Sequence, residues 1–182
     1  MNNIDNNSRK GRLGRLLMLA AMLMLAGSMQ AQVPIMGTHA KFQFPSKWQF
    51  LSTQKVDANT TMYLYFYNAS TIVSQGDTVL PFLRIYVRTN YTKPVYDFVF
   101  ERYTKEPYES LNDYSKGLGL PKSGGAGFEG AYTNVKDKKD YRFRMVYFKE
   151  KNTIVEFRLE TTKATYPQME KEFEAILKSI TF

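Results

Sequence analysis

Three strand-length segments near the carboxyl end constrain the fold more than any other feature of this chain. They are FEGAYTNV (128–135), DYRFRMVYF (140–148) and TIVEFRLET (153–161), each rich in aromatic and β-branched residues. Only four residues join each consecutive pair, KDKK and KEKN. Parallel strands need a crossover of about twelve residues or more, so links this short predict hairpins. The sequence therefore predicts a three-strand antiparallel meander.

Further strands are predicted upstream of the meander. The segment 61–68 (TMYLYFYN) is apolar on both faces, and 80–89 (LPFLRIYVRT) alternates regularly. In the second segment Leu83, Ile85 and Val87 share one face, and polar or charged residues share the other. These segments indicate a sheet larger than the meander alone.

Two helical segments are predicted upstream of the meander. A helix is predicted to begin at Pro94, where proline is tolerated, and to end near Glu106. A shorter helical piece is predicted to contain Leu111 and Tyr114, followed by a flexible glycine-rich loop over 117–127. The residues that recur at helical spacing in the first helix are Val95, Phe98, Val99, Arg102 and Tyr103.

An amphipathic helix is predicted after the meander, within YPQMEKEFEAILKSITF (166–182). Its apolar stripe needs a sheet to cover, so this end of the chain should close the core. Ile180 and Phe182 are expected to point toward that core with the stripe. The stripe consists of Tyr166, Met169, Phe173, Ile176, Leu177 and Ile180.

The first 31 residues have the pattern of an export signal. A basic segment, SRKGRLGR, precedes the apolar run 16–26, which is shorter than the roughly 20 residues that span a bilayer. Cleavage is predicted after Ala31, which leaves Gln32 first. We expect a signal peptide (1–31), a short amino-terminal tail (32–39) and a single domain (40–182), with no later membrane-spanning segment.

The absence of cysteine limits the kinds of chemical site and of membrane attachment that this chain can have. Without cysteine, the sequence excludes disulfides, thiolate metal sites, a cysteine nucleophile and an acylated lipoprotein. A periplasmic or secreted protein is expected. The net charge is +8, of which residues 1–31 contribute +3, and the remaining +5 does not by itself indicate nucleic-acid binding.

Two segments at opposite ends of this predicted domain carry a resemblance. FQFPSKW (42–48) and FEAILKSITF (173–182) resemble the PsbP-like family, which includes the extrinsic P subunit of photosystem II and non-photosynthetic bacterial relatives. The resemblance implies an α+β fold, an α-β-α sandwich around a central antiparallel sheet. It also implies an exported, non-enzymatic domain that docks to a larger partner. No histidine-rich or acidic cluster matches the family's metal positions, so no metal site or cofactor is expected.

Arginines interleaved with aromatic residues form the most informative candidate site. Arginine can hold carboxylates or phosphates in bidentate geometry, and tyrosine supplies flat contact area. One interpretation is a surface that recognises anions or glycans. The other, which we favour, is cross-strand pairing with Glu156 and Glu160 beside a helix. The candidate binding residues are Arg84, Tyr86, Arg88, Arg142, Arg144 and Arg158.

Other motifs are weaker. His39, the sole histidine, has no partner nearby in sequence, and Ser52 and Lys55 form an S-x-x-K pattern without its companion motifs. The glycine-rich loop lacks a phosphate-binding pattern and no helix directly follows it. Thr78 lies in DTV, which resembles a short bacterial O-glycosylation sequon, and the lysine-rich turns could contact acidic lipid or polysaccharide.

These observations predict a non-enzymatic binding or accessory domain that docks to an envelope protein or complex. One alternative is a lipid- or glycan-binding module that uses a cavity between sheet and helices. A second alternative is a hydrolase whose carboxylates, such as Asp77 or Glu129, meet only in the fold.

Overall fold

One large antiparallel sheet organises the chain. The computed structural model describes residues 32–68, 80–106, 108–121 and 124–182, so the predicted signal peptide, Ala31, Asp77 and Thr78 lie outside the described residues. The seven-stranded sheet has the order β3-β4-β5-β9-β8-β7-β6, and β1 and β2 form a separate pair. The elements are β1 (Gln32–Pro34), β2 (Lys41–Gln43), β3 (Trp48–Lys55), β4 (Thr60–Tyr67), β5 (Phe82–Arg88), α1 (Val95–Tyr103), β6 (Tyr108–Asp113), β7 (Gly125–Asn134), β8 (Lys139–Glu150), β9 (Thr153–Thr162) and α2 (Tyr166–Lys178).

The predicted meander is confirmed as β7, β8 and β9. Strand β8 pairs antiparallel with β7 through residues 139–148 and with β9 through residues 141–150. Its two turns each contain a non-glycine residue with positive φ, Lys138 at 55° and Lys151 at 53°. Such left-handed residues are typical of tight hairpin connections.

The segment predicted as a short helix is instead strand β6, and the predicted loop 117–127 runs into the first residues of β7. Leu111 lies in β6, opposite Gly130 of β7. A side chain at residue 130 could not be accommodated, because its Cβ would lie 2.3 Å from the Ser110 carbonyl oxygen. A Cβ at Gly127 would lie 2.8 Å from Leu118. The glycines therefore permit close packing of residues 110–118 against β7, which sequence periodicity did not reveal.

The helices lie on opposite faces of the sheet, which confirms the α+β class and the predicted α-β-α sandwich. Helix α1 buries Val95 and Phe98 in a cluster with Phe143 and Met145 of β8. Helix α2 covers the larger cluster on the other face, which includes Phe157. Of the helices in the described ranges, neither is long and apolar enough to cross a membrane.

The segment 32–39, predicted as a tail, packs with the domain. Strand β1 pairs with β2, and Val33 lies opposite Phe42. Ile35, in the turn that follows, is only 2% exposed. Burial of this apolar side chain stabilises the segment against the α2 face of the sheet.

The two segments that carry the family resemblance meet in the core. Trp48 donates a 2.7 Å hydrogen bond from Nε1 to Glu172 of α2, and the Gln43 amide donates to Ser179 Oγ at 2.9 Å. Ile180 is buried as expected, whereas Phe182 is 47% exposed although its ring contacts Phe148.

We expect Phe173→Ala to lower the free energy of unfolding by about 3–5 kcal/mol, because this fully buried ring would leave a cavity. Urea denaturation measures the change. Lys171→Ala, at an exposed position of the same helix, is the matched control and should change stability by less than about 0.5 kcal/mol. Equal losses in both variants would contradict this account of the core.

Candidate functional site

Strand β9 presents charged side chains to one face of the sheet. Glu156, Arg158 and Glu160 occupy alternate positions, and side chains two residues apart on a strand share a face. The intervening Phe157 and Leu159 pack in the core beneath α2. The strand is therefore charged toward α1 and apolar toward α2.

These three residues belong to a larger group of ion pairs on the α1 face. Its other members come from β5, from α1 and from the segment that follows α1. We call this group the Arg–Glu network. It consists of Arg84, Arg102, Glu106, Glu156, Arg158 and Glu160.

Arg158 lies at the centre of the network. Its Nη2 is 2.8 Å from Glu156 Oε1, and its Nη1 is 2.8 Å from Glu106 Oε2. Glu160 Oε2 is 3.9 Å from the same Nη1. One guanidinium thus meets three carboxylates, although only 3% of the Arg158 side chain is exposed and Glu156 and Glu160 are fully buried.

Two further arginines balance the charge. Arg84 Nη2 is 2.7 Å from Glu160 Oε1. Arg102 contacts Glu156 Oε2 through Nε at 2.9 Å and Glu106 Oε1 through Nη2 at 2.7 Å. Three positive and three negative side chains therefore compensate one another in a poorly solvated position, as buried charges require.

The network affects the pKa of two side chains near the end of α1, those of Glu106 and Tyr108. Although burial opposes it, the charge of Arg158 lowers the pKa of Glu106 below its ordinary value, and Glu106 remains ionised at neutral pH. Burial raises the pKa of Tyr108, whose hydroxyl donates a 2.5 Å hydrogen bond to Glu106. Carboxylates do converge here, but a guanidinium lies between Glu106 and Glu156 where a glycosidase would need space for substrate.

The six predicted binding residues do not form one surface. Arg84 and Arg158 lie directly opposite each other on β5 and β9, on the α1 face, and Tyr86 and Arg88 share that face. Arg142 and Arg144 of β8 lie on the α2 face. The pairing register of β8 and β9 causes this division. Met145 lies directly opposite Arg158, so Arg144, the preceding residue on β8, points to the other face of the sheet.

Arg144 has a structural position of its own. It donates to Glu170 of α2 through Nη1 to the carbonyl oxygen (3.0 Å) and through Nη2 to Oε1 (2.8 Å). Its guanidinium lies 4.4 Å from the centre of the Tyr114 ring, within cation–π distance. Arg84 and Arg158 thus pair with Glu160 and Glu156 of β9, as in the favoured interpretation. Arg144 also pairs within the protein, but its partner Glu170 belongs to α2 rather than to β9.

An open cleft of about 450 Å³ lies above the Arg–Glu network. The end of α1, strands β5, β7 and β9 and the β7–β8 turn contribute to its walls. We call it the arginine–tyrosine cleft. Its lining includes Arg84, Tyr86, Arg102, Tyr132, Lys136 and Arg158.

The outer surface of α1 carries a second candidate site that the sequence analysis missed. Tyr96, Phe100 and Tyr103 are 67%, 68% and 48% exposed. Their spacing of four and three residues places them on one side of the helix. The sequence analysis grouped Tyr103 with Val95 and Phe98 by helical spacing, but unlike those two buried residues it is exposed. Tyr96, Phe100 and Tyr103 form an i, i+4, i+7 pattern in the sequence, separate from the residues that α1 buries. This pattern was the available signal for an exposed surface, which we call the aromatic face of α1.

The remaining candidates lie apart. His39 is exposed and contacts the Glu150 carboxylate. Ser52 and Lys55 lie on strand β3, where residues three apart point to opposite faces. Glu129 lies 3.5 Å from Arg144 Nε. Within the described ranges, no three His, Cys, Asp or Glu side chains are placed to hold a metal ion together.

The fold occurs in other solved structures. LpqN, involved in cell envelope biogenesis of Mycobacterium tuberculosis, is 12% identical, with a TM-score of 0.52 over 85% of this chain and 91% of LpqN. PA94 of Pseudomonas aeruginosa is 13% identical, with a TM-score of 0.46 over 84% and 96% of the two chains. Cyanobacterial PsbP from Synechocystis is 9% identical, with a TM-score of 0.49 over 83% and 91%.

No protein-family model and no curated protein sequence matches the chain. At 12% identity, the likeness to LpqN is a likeness of fold alone.

We expect Arg158→Ala to destabilise the protein by about 3–5 kcal/mol, because it removes the central cation of the network and leaves three carboxylates with only two arginines, Arg84 and Arg102. Urea denaturation compares it with Arg142→Ala, an exposed arginine on the adjacent strand. A loss for Arg158→Ala no larger than that of the control would contradict a structural role for the network.

Glu106→Gln should make stability less dependent on pH. The pKa of Glu106 is lowered in the folded state, so its ionisation stabilises the native protein above its unfolded pKa, and this contribution disappears as pH falls through the native pKa. The wild type should therefore exceed the variant in stability at pH 7 and approach it below about pH 4. Urea midpoints between pH 3 and 7 measure the difference, and a constant gap would contradict the assignment.

Proposed function

We propose that this protein is an exported, non-enzymatic, PsbP-like accessory domain that docks to an envelope protein or complex through the aromatic face of α1. One observation carries the proposal: three large aromatic side chains are exposed together on one side of a helix whose other side is fixed to the sheet. Tyrosine and phenylalanine are enriched at protein interfaces and often dominate their binding energy.

Helix α1 is firmly held in place. Phe98 is buried edge-on against Tyr91, with ring centres 5.2 Å apart, and also contacts Tyr147. Arg102 anchors the last turn to the buried Glu156. A helix fixed in this way presents its outer residues without further ordering, which reduces the entropic cost of binding.

The charges around the aromatic face favour a protein partner over an anionic membrane. Residues 93–106 contain three basic and three acidic side chains. One pair, Lys93 and Glu101, is joined at 2.8 Å. A surface with balanced charge gains little from anionic lipid, which attracts basic clusters, whereas it suits a protein surface of mixed charge.

The comparisons and the sequence support location in the envelope. LpqN, which shares the fold, is involved in cell envelope biogenesis. Residues 1–31 have the pattern of an export signal. The sequence resemblance to the PsbP-like family points the same way, toward an extrinsic subunit of a larger assembly.

The site chemistry supports a role other than catalysis. Glu106 is paired with Arg102 and Arg158, and its lowered pKa makes it a poor general acid. The alternative of a glycan- or lipid-binding module is supported by a separate observation, the arginine–tyrosine cleft. The hydrolase alternative has no such support among the described residues, where Glu129 lies beside Arg144.

The docking proposal is tested by a photo-reactive amino acid placed at Phe100 of the exported protein in its own envelope. The same label at Lys171, exposed on α2, is the matched control. A protein cross-linked from residue 100 and not from residue 171 is then purified and titrated. Tyr96→Ser/Phe100→Ser should weaken its binding about 30-fold, as loss of a hot spot of about 2 kcal/mol requires.

Thermal unfolding checks that the double variant remains folded, since both side chains are largely exposed and surface substitutions usually change stability by less than about 0.5 kcal/mol. Equal cross-linking from both positions, or unchanged affinity of the double variant, would exclude this face as the docking site.

A further inference from the structure

The arginine–tyrosine cleft is distinct from the aromatic face of α1. It opens between the carboxyl end of α1 and the β7–β8 turn, whereas Tyr96 and Phe100 lie outside its lining. Its volume of about 450 Å³ lies within the range of small-molecule sites, roughly 300–1,000 Å³. Ligand binding in the cleft is therefore independent of docking through the aromatic face of α1.

Charges in the cleft are arranged in two layers. Glu156 and Glu160 are fully buried beneath it, whereas the side chains of Arg84 and Arg102 are each 29% exposed. Among the described lining residues there are four cationic side chains, those of Arg84, Arg102, Lys136 and Arg158, and a single carboxylate. A ligand entering the cleft would therefore meet cations first.

The single carboxylate is already occupied. Glu106 accepts from Arg158 and Tyr108 at Oε2 and contacts Arg102 at Oε1. By contrast, Arg84 donates from Nη2 to Glu160 while 29% of its side chain remains exposed. A guanidinium carries five N–H donors, so Arg84 retains capacity for an anionic ligand.

Aromatic walls accompany these cations. Tyr86, Tyr108 and Tyr132 line the cleft. The Tyr132 ring is stacked on Tyr141 with centres 5.3 Å apart, and its hydroxyl donates to Glu160 at 2.9 Å. The Tyr86 ring lies 5.2 Å from the Arg102 guanidinium. Rings fixed in this way offer flat apolar surfaces beside the charged groups.

We propose that the arginine–tyrosine cleft binds an acidic saccharide. Its carboxylate or phosphate would pair with Arg84 and Lys136, and a sugar ring would pack on the tyrosines. The guanidinium fork matches both anions, and a ring bearing many hydroxyls suits a wall of tyrosine and arginine groups. A simple inorganic anion would leave the tyrosine walls and most of the volume unused.

The test is calorimetric titration of the 32–182 protein with four probes. Trigalacturonate carries carboxylates, glucose 6-phosphate carries a phosphate, maltotriose is neutral, and inorganic phosphate has no sugar ring. At least one acidic sugar should bind ten times more tightly than both maltotriose and inorganic phosphate. Which acidic sugar binds more tightly identifies the anionic group.

Variants locate the binding. Lys136 lies in an exposed turn, so Lys136→Glu should leave the fold intact and weaken acidic-sugar binding at least tenfold. Lys171→Glu, an identical charge reversal on α2, should leave it unchanged. Phe100→Ser should also leave it unchanged, which separates this site from the docking face.

Three results would overturn the proposal: no binding of either acidic sugar, inorganic phosphate binding as tightly as the sugars, or equal affinity of Lys136→Glu and the wild type.

Discussion

The buried guanidinium of Arg158 is the interaction on which the α1 face of the molecule depends. It joins Glu156 of its own strand to Glu106, which follows helix α1, and so ties a helix end to the middle of the sheet. Three carboxylates without this cation would repel one another in a poorly solvated position. This charge balance, together with the burial of Val95 and Phe98, sets the position of α1 and with it the orientation of the aromatic face.

The same network also forms the floor of the arginine–tyrosine cleft, so both proposed sites depend on the same ion pairs. Arg102 is the residue common to both, because it fixes the last turn of α1 and also lines the cleft. A shift of Arg102 would therefore affect both the end of the helix and the wall of the cleft. If binding at the two sites is coupled through Arg102, a partner on the helix would change the affinity of the cleft for its ligand. The ligand would then change the affinity for the partner by the same factor.

The sequence predicted the fold well where the signal was local. Short links specified the meander, and the stripe from Tyr166 to Ile180 specified α2. Strand β6 was missed because its pairing depends on the absence of a side chain at Gly130, a long-range steric condition. The six-residue site was divided for a similar reason: alternation places Arg144 and Arg158 correctly on their own strands, but only the register shows that they face opposite layers.

The meeting of the two ends of the domain has a consequence for the order of folding. The Gln43–Ser179 and Trp48–Glu172 hydrogen bonds span 136 and 124 residues, and Lys41 exchanges backbone hydrogen bonds with Thr181. A chain emerging from its amino end could pair β1 with β2 and β3 with β4, but Lys41, Gln43 and Trp48 would lack these distant partners until α2 and the residues after it became available. Contacts this distant in sequence form late. Such a delay suits a chain proposed to cross a membrane before it folds.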